Sequence, residues 1–341
     1  MQINSPSVTL IVLAYKQEKF IREAVESALA QTYTPLEIIV SDDCSPDRTF
    51  AEIEDIISAY KGPHTVITNR NPQNIGLGAH FHKAYELSQG MWIVAAAGDD
   101  ISEPQRVANL VEAVRHERTA VAAASACMNI DEDGKRLPDQ LPRRLRDGAV
   151  HRFGEYDWVS GFQKGGDTGV PGMSAMWHRS LFAEFPPMGE GIFAEDVVLG
   201  FRAYLTGTIV FLKDVLMRHR FHGDNIAGFV SDDIAWMEER QIQFLKKVRP
   251  SLEMNLATYN YYLSRHQKKN SDPRILDLIR YSLWLNEVNA TWWEHGLLWK
   301  CQTCVKFART GGLKKLKRYI PRLLPKPTFL KFKHQLKNRL S

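Results

Sequence analysis

In the segment Met91-Trp92-Ile93-Val94-Ala95-Ala96-Ala97-Gly98-Asp99-Asp100, an apolar run leads directly into two carboxylates. An uninterrupted apolar run of this length predicts a buried strand. Open α/β sheets bind their ligands at the carboxyl ends of the strands. The two aspartates therefore occupy the position where such a sheet would hold a ligand.

Two other acidic pairs occupy comparable positions. Asp42-Asp43 follows the strand-like run 36–41, and Glu195-Asp196 precedes an amphipathic segment. Any single pair could be a helix cap or part of a solvated turn. Three pairs in one domain indicate metal binding and acid/base chemistry.

Strand-like and helix-like segments alternate through the first part of the chain. Predicted strands cover 8–13, 36–41, 64–68 and 91–96, and predicted helices cover 20–31, 49–60, 78–88 and 104–117. This alternation predicts an α/β fold with a mostly parallel, doubly wound sheet. No complete Gly-x-Gly-x-x-Gly follows the first strand, which disfavours a dinucleotide dehydrogenase. The sequence also contains no P-loop lysine motif.

Length and composition are those of an ordinary globular protein. The 341 residues are 44% hydrophobic and 24% charged, enough for a large α/β domain and an appendage. Four scattered cysteines favour a reducing cytoplasm, and Cys301 and Cys304 are interpreted as helix-face thiols because no second pair completes a zinc site. We expect neither a signal peptide nor a membrane-spanning helix.

The end of the chain differs from the rest in charge. No acid follows Glu294, whereas thirteen Lys or Arg residues do, within a net charge of +5 for the whole chain. Trp292, Trp293 and Trp299 stand beside this basic amphipathic stretch, which favours contact with an anionic membrane surface. The alternatives are packing on the rest of the protein with solvated lysines, or nucleic-acid binding, for which there is no reader motif. We predict three parts: a domain at 1–230, a helical extension at 231–300 and a basic tail at 301–341.

Several motifs together resemble those of the family 2 glycosyltransferases, which have the Rossmann-like GT-A fold. The resemblance covers about residues 6–228, in the family's usual order and spacing. The motifs are Glu26-Ser27-Ala28-Leu29-Ala30-Gln31-Thr32-Tyr33, Glu37-Ile38-Ile39-Val40-Ser41-Asp42-Asp43-Cys44-Ser45-Pro46-Asp47, Asn74-Ile75-Gly76-Leu77, Gly98-Asp99-Asp100, Glu195-Asp196-Val197-Val198-Leu199 and Arg220-Phe221-His222-Gly223-Asp224-Asn225.

The resemblance implies inverting transfer of a sugar from a nucleotide-diphosphate sugar, in bacterial surface-polysaccharide synthesis. It assigns Asp196 as the general base, with Glu195 beside it. Asp99, Asp100 and His222 match the segment that binds a divalent metal, Mn²⁺ or Mg²⁺. Here Ala97 replaces the first acid of the family's Asp-x-Asp motif, and Asp99 is the favoured metal ligand.

The resemblance also assigns the donor site and the partners. The expected donor-binding residues are Ala14, Tyr15, Asp42, Asp43, Asn74, Gly76, Gly98, Asp99 and Arg220. The expected acceptor is a glycan or a lipid-linked molecule, and the expected location is the cytoplasm or the inner face of the cell membrane. Asn225 would orient its loop, and residues 167–174 would form a loop near the donor sugar. The alternative is a catalytically silent scaffold that binds sugar nucleotides.

Overall fold

The computed structural model describes residues 7–137, 150–152, 170–223, 233–266, 273–311 and 319–330, and these contain one sheet of nine strands. The strands are β1 (Val8–Ala14), β2 (Glu37–Asp42), β3 (Thr65–Arg70), β4 (Trp92–Ala97), β5 (Ile101–Ser102), β6 (Ala120–Ile130), β7 (Val150–Arg152), β8 (Ala175–His178) and β9 (Thr208–Arg220). The helices are α1 (Ile21–Leu29), α2 (Thr49–Ala59), α3 (Leu77–Leu87), α4 (Arg106–Arg115), α5 (Ser180–Ala183), α6 (Glu195–Thr206), α7 (Ile234–Arg265), α8 (Pro273–Thr291) and α9 (Leu297–Gly311). Short 3₁₀ turns lie at Gly172–Ser174, Trp292–Glu294 and Ile320–Leu323.

The sheet has the order β3-β2-β1-β4-β8-β6-β9-β5, with β7 paired to β9. The pairs among β1, β2, β3 and β4 are all parallel, as the alternating pattern predicts. In the other half, β6 and β9 are parallel, while β8 runs antiparallel to both β4 and β6. β5 and β7 are antiparallel to β9. The predicted α/β fold is confirmed, and its second half is mixed.

Hydrophobic cores lie on both faces of the sheet. In β1, Leu10 and Val12 belong to one core and Ile11 and Leu13 to the other, because successive strand residues point to opposite faces. Helices α1, α2 and α4 contribute to the first core, and α3, α5 and α6 contribute to the second. The sheet is therefore covered on both sides, as in a doubly wound fold.

The carboxyl ends of β1, β2 and β4 meet at one edge. Ala14 stands opposite Asp42 in the β1–β2 register, and Leu13 stands opposite Ala97 in the β1–β4 register. The backbone continues this alignment for one residue, because Asp43 N–H donates to Ala14 O at 2.9 Å and Gly98 N–H donates to Leu13 O at 2.8 Å. Two of the three acidic pairs thus start from the same edge.

The chain divides into two compact units. The first comprises Met1–His222 and Pro250–Ser282, and the second comprises Gly223–Arg249 and Leu283–Ser341. The predicted helical extension is present as α7, α8 and α9, while the boundaries at residues 230 and 300 stay predictions. Cys301 and Cys304 both lie on α9 and are free thiols. Among the described residues, no helix combines the length and the apolar character needed to cross a bilayer.

Candidate active site

Asp99 and Asp100 lie in the turn after β4, which depends on Gly98. A Cβ at residue 98 would lie 2.4 Å from Gln17 Oε1 and 2.9 Å from Ile21 Cδ1, so any larger residue would displace these neighbours. Asp99 Oδ2 lies 3.0 Å from Nε2 of His222, and both side chains are largely buried. The turn thus places a carboxylate and an imidazole in direct contact.

Asp100 has a different environment. Its Oδ1 accepts the backbone N–H of Arg220 at 2.8 Å and lies 3.0 Å from Nδ1 of His219. Burial raises the pKa of Asp100 despite the opposing effect of His219. Burial alone would lower the pKa of His219, but the Asp100 carboxylate outweighs it and raises that pKa. Both aspartates are therefore held by β9 and the residues that follow it, Asp99 through His222 and Asp100 through His219.

Arg220 is fully buried, and its guanidinium contacts groups of the protein. Its Nε donates to Asp99 O at 3.0 Å, its Nη1 donates to Glu132 O at 2.8 Å, and its Nη2 pairs with the Glu23 carboxylate. The guanidinium also lies over the ring of Phe20, 4.9 Å from its centroid. In this position Arg220 supports the backbone at Asp99, and a direct contact with donor phosphate stays a prediction.

Asp42 and Asp43 are also buried, and their oxygens are occupied by the protein. Asp42 accepts the backbone N–H of Ser45 at 2.9 Å. Asp43 accepts Asn71 Nδ2 at 2.8 Å and the backbone N–H groups of Ile75 and Gly76 at 3.1 and 2.9 Å. Asp43 therefore fixes the turn that starts α3, where Gly76 has a φ of 81° that favours glycine.

The other predicted donor residues lie at the same edge, and two of them are exposed. Tyr15 is 40% exposed just beyond β1, and Asn74 is exposed while its Nδ2 lies 3.4 Å from Asp43 O. Ala14 is buried at the end of β1. The structure thus brings Ala14, Tyr15, Asn74 and Gly76 to the same edge as the two aspartates.

A buried polar network behind Asp43 was not predicted. His80 Nε2 lies 2.7 Å from Ser41 Oγ, Asn69 Nδ2 donates to Ser41 Oγ at 2.9 Å, and Asn69 also donates to Asn71 Oδ1. Burial lowers the pKa of His80, against the charges of Asp43 and Asp42. The alternation Asn69-x-Asn71 at the end of β3 is the sequence signal that could have pointed to this network.

The third acidic pair occupies the first turn of α6, where the helix dipole favours negative charge. Asp196 Oδ2 accepts the backbone N–H of Gly172 at 3.2 Å, and Asp196 Oδ1 accepts that of Val197 at 2.8 Å. Burial raises the pKa of Asp196. Burial, and then the charge of Asp196, raises the pKa of Glu195 to about 8. With a pKa of about 8, Glu195 is mostly protonated at neutral pH.

Two buried residues of α7 hold the start of α6. Ser251 Oγ accepts the backbone N–H of Ala194 at 3.0 Å, and Asn255 Nδ2 donates to Val197 O at 3.4 Å. Both residues are fully buried within the first unit. Polar residues spaced four apart on a buried helix face are the only sequence signal, and it does not name their partners.

The described residues contain no group of three or more His, Cys, Asp or Glu side chains arranged to hold a metal ion. Asp99 and His222 supply one oxygen and one nitrogen donor, a set that suits a divalent ion completed by phosphate oxygens and water. Asp100 is already engaged with His219 and Arg220. Asn225 and the first part of the expected donor loop, residues 167–169, lie outside the described residues.

Sequence comparisons agree on one family. Residues 9–177 match the model described as glycosyl transferase family 2. The chain is 25% identical over 229 residues to the putative glycosyltransferase EpsH of Bacillus subtilis, covering 66% of this chain and 63% of the relative. It is 34% identical over 142 residues to the succinoglycan biosynthesis protein ExoO of Rhizobium meliloti, covering 39% of this chain and 36% of the relative. The aligned region thus spans less than two thirds of these relatives.

The fold has a counterpart among solved structures. A crystal structure of S. aureus TarS 1–349 in complex with UDP-GlcNAc matches with a TM-score of 0.53 and 14% sequence identity, covering 92% of this chain and 90% of that one. At this identity the match concerns the fold alone. It confirms the GT-A architecture that the sequence motifs imply.

Proposed function

Because the chain belongs to glycosyl transferase family 2, we propose that it is an enzyme that transfers a sugar from a nucleotide-diphosphate sugar to an acceptor hydroxyl. The observation that carries the proposal is the partly buried pair Glu195 and Asp196, whose pKa values are raised and whose position is fixed by Gly172. A carboxylate that binds a proton near neutral pH suits a general base.

The donor would bind at the edge formed by β1, β2 and β4. Asp43 organises the turn at residues 75–76, and the exposed Tyr15 and Asn74 flank it. Backbone and side-chain groups held by buried carboxylates are already ordered before a ligand arrives, which lowers the entropy cost of binding. In this proposal Asp42 and Asp43 shape the nucleoside site, with Tyr15 and Asn74 as the groups that a nucleoside can reach.

Asp99 and His222 would hold a divalent ion, Mn²⁺ or Mg²⁺. When bound, such an ion neutralises the charge that develops on the leaving diphosphate. Asp99 is anchored for this role from two directions, since Arg220 holds its carbonyl and His222 contacts its carboxylate. Asp100 is assigned a positioning role, because its carboxylate fixes the backbone of Arg220.

Asp196 would remove the proton from the acceptor hydroxyl as that oxygen attacks the anomeric carbon. Attack on the face opposite the leaving diphosphate gives inversion at that carbon. Glu195, with its pKa near 8, keeps a proton at neutral pH, so the negative charge of the pair is available on Asp196. The backbone N–H groups of Gly172 and Val197 orient that carboxylate.

The acceptor class is proposed from the relatives. ExoO is named for succinoglycan biosynthesis. By analogy, the acceptor proposed for this chain is a growing surface glycan or a lipid-linked precursor on the cytoplasmic side of the membrane. The TarS complex contains UDP-GlcNAc, which makes uridine diphosphate sugars the first donors to test.

The test has two stages. Nucleotide sugars are screened by thermal shift with Mn²⁺ or Mg²⁺, since a ligand at a hundred times its Kd stabilises by about 2.7 kcal/mol. The best donor is then incubated with candidate acceptors, and release of nucleoside diphosphate is measured together with the configuration of the product. Donor binding without any transfer would favour a silent scaffold, which the replacement of the first Asp-x-Asp acid by Ala97 keeps as the second candidate.

A further inference from the structure

Helix α9 in the second unit carries an exposed apolar face. Leu297, Leu298 and Val305 are 61%, 74% and 51% exposed, and Cys301 is exposed between them. Residues four apart lie on the same side of a helix, so these residues form one stripe, called here the α9 face. On the other side of the helix, Lys300, Thr303 and Cys304 are buried. The helix is thus amphipathic, and its exposed side contains large aliphatic residues.

The expected interfacial tryptophans are not part of this face. Trp292 is fully buried, donates Nε1–H to Arg322 O at 2.9 Å, and packs against Tyr319 with ring centroids 5.1 Å apart. Trp293 packs against Phe329, and Trp299 packs against Trp292. Trp292 is therefore not available for the expected contact with a membrane surface, because it lies in the core of the second unit. The aliphatic residues of the α9 face are the accessible ones.

The charge of the surrounding sequence limits what can cover this face. From residue 295 to the end of the chain there are thirteen basic residues and no acid. The last acid, Glu294, lies 2.9 Å from Lys246 Nζ. Arg322 pairs with Glu238 and Lys326 with Glu239, which still leaves an excess of basic residues in this part of the sequence. A partner that accepts aliphatic side chains and carries negative charge fits both features, and an anionic lipid bilayer offers both in adjacent layers.

We propose that the α9 face docks on an anionic membrane surface, with Leu297, Leu298 and Val305 in the lipid interface. A nucleic acid would satisfy the charges but gains little from aliphatic side chains, since its protein contacts rely on phosphates, base edges and stacking. A second copy would bring two basic tails together, which repel each other. The proposal does not depend on the proposed transferase activity.

The test compares vesicle binding of the full chain with that of two triple variants. Leu297→Ser, Leu298→Ser and Val305→Ser remove the α9 face. Leu87→Ser, Met91→Ser and Val215→Ser remove three exposed apolar residues of the first unit and serve as the matched control. Cosedimentation uses vesicles of phosphatidylcholine alone and of equal parts phosphatidylcholine and phosphatidylglycerol. Salt is varied between about 0.1 M and about 1 M, where the Debye length falls from about 10 Å to about 3 Å.

The parent chain should bind the anionic vesicles at low salt, more weakly at high salt, and poorly to neutral vesicles. The α9 triple variant should lose about tenfold or more of its partition onto anionic vesicles, while the control triple variant keeps it. Equal binding of all three proteins, or no binding by the parent, would overturn the proposal. Thermal melts of both variants check that each remains folded.

A second measurement uses Cys301 as a reporter on the face itself. In a Cys44→Ser background, a polarity-sensitive fluorophore on Cys301 should shift to the blue on anionic vesicles. Binding without any shift would show that another surface makes the contact.

Two further experiments test the other partners that could cover the α9 face. Binding to duplex DNA tests a nucleic acid, and sedimentation velocity tests a second copy of the chain. A face-dependent dimer, or DNA binding that needs the face while vesicle binding does not, would contradict the lipid assignment.

Discussion

The carboxylate of Glu195 lies in the space that a side chain at Gly172 would need, since a Cβ at residue 172 would lie 2.4 Å from Glu195 Oε1. The same glycine donates its backbone N–H to Oδ2 of Asp196. One small residue therefore fixes both acids of the proposed catalytic pair. This relationship makes the pair sensitive to a single methyl group.

Gly172→Ala should displace the Glu195 carboxylate and misplace Asp196 with it. Misplacement by about 1 Å can cost about 100-fold in rate, so we expect kcat to fall about tenfold to 100-fold with little change in donor affinity. Gly189→Ala is the matched control, because a Cβ at residue 189 meets nothing within 4 Å. If both alanine variants retain parental kcat in steady-state assays, the tight fit around Glu195 has no catalytic role.

Asp196→Asn should abolish most turnover while donor binding persists. The amide keeps the shape of the carboxylate but cannot accept the proton of the acceptor, and loss of a general base costs roughly 10²- to 10⁴-fold. Rates of nucleoside diphosphate release and calorimetric donor affinity are measured on the same preparation. Near-normal turnover would reject Asp196 as the base.

Glu195 should make the folded protein less stable as pH rises. Its pKa is about 8 in the folded chain and 4.5 as an ordinary value, so between these values the folded state holds a proton that the unfolded state has lost. Stability therefore falls with rising pH across this window, by at most about 1.4 kcal/mol per pH unit. In denaturant unfolding, the free energy of unfolding of Glu195→Gln should rise relative to that of the parent from about pH 5 to about pH 8. A difference in the free energy of unfolding that stays constant over this pH range would show that the pKa of Glu195 is not raised.

Asp99→Ala and Asn71→Ala should weaken donor binding in different ways. Asp99→Ala removes one of the two donors proposed for the divalent ion, so it should lower affinity for uridine diphosphate only when Mn²⁺ or Mg²⁺ is present. Asn71→Ala removes a hydrogen bond to Asp43 and should lower affinity with or without metal. Calorimetry in metal and in chelator distinguishes them. The same metal dependence in Asp99→Ala and the parent would refute the metal assignment.

Ser251→Ala should reduce both stability and turnover. It leaves the N–H of Ala194 without the hydroxyl that accepts it, and an unsatisfied buried donor costs about 1 to 3 kcal/mol. Ser264→Ala is the control on the same helix, because its hydroxyl is exposed and bonded to Tyr261 O, and such changes stay within about 0.5 kcal/mol. Ser251→Thr keeps a hydroxyl at this position, so its turnover should exceed that of Ser251→Ala if the hydroxyl, and not the side-chain volume, positions α6. No rescue would indicate a packing role only.

The sequence predicts the parallel half of the sheet well, because β1, β2 and β4 are apolar runs separated by amphipathic helices. It does not predict β8, a strand of four residues that is held in the sheet by pairing with β4 and β6. Strand order of this kind depends on long-range contacts, which a local pattern does not encode.

The same division applies to the candidate site. The position of the acidic pairs follows from strand ends and motifs, but their surroundings do not. From the sequence alone, Asp100 and Arg220 cannot be distinguished from exposed residues that bind a ligand. In the structure both side chains are buried and hydrogen-bonded to other groups of the protein. Burial of this kind depends on which elements pack around a residue, as it does for Ser251 and for Trp292.

The separation between buried Asp43 and its exposed neighbours defines how this site could be redesigned. The Asp43 carboxylate accepts hydrogen bonds from Asn71 and from the turn at residues 75–76. Substitution of Asp43 would therefore disturb this turn in every variant. Tyr15 and Asn74 are exposed beside it. A combinatorial library randomised at these two positions, with the buried acid kept constant, would therefore explore altered nucleotide preference with little risk of collecting misfolded clones.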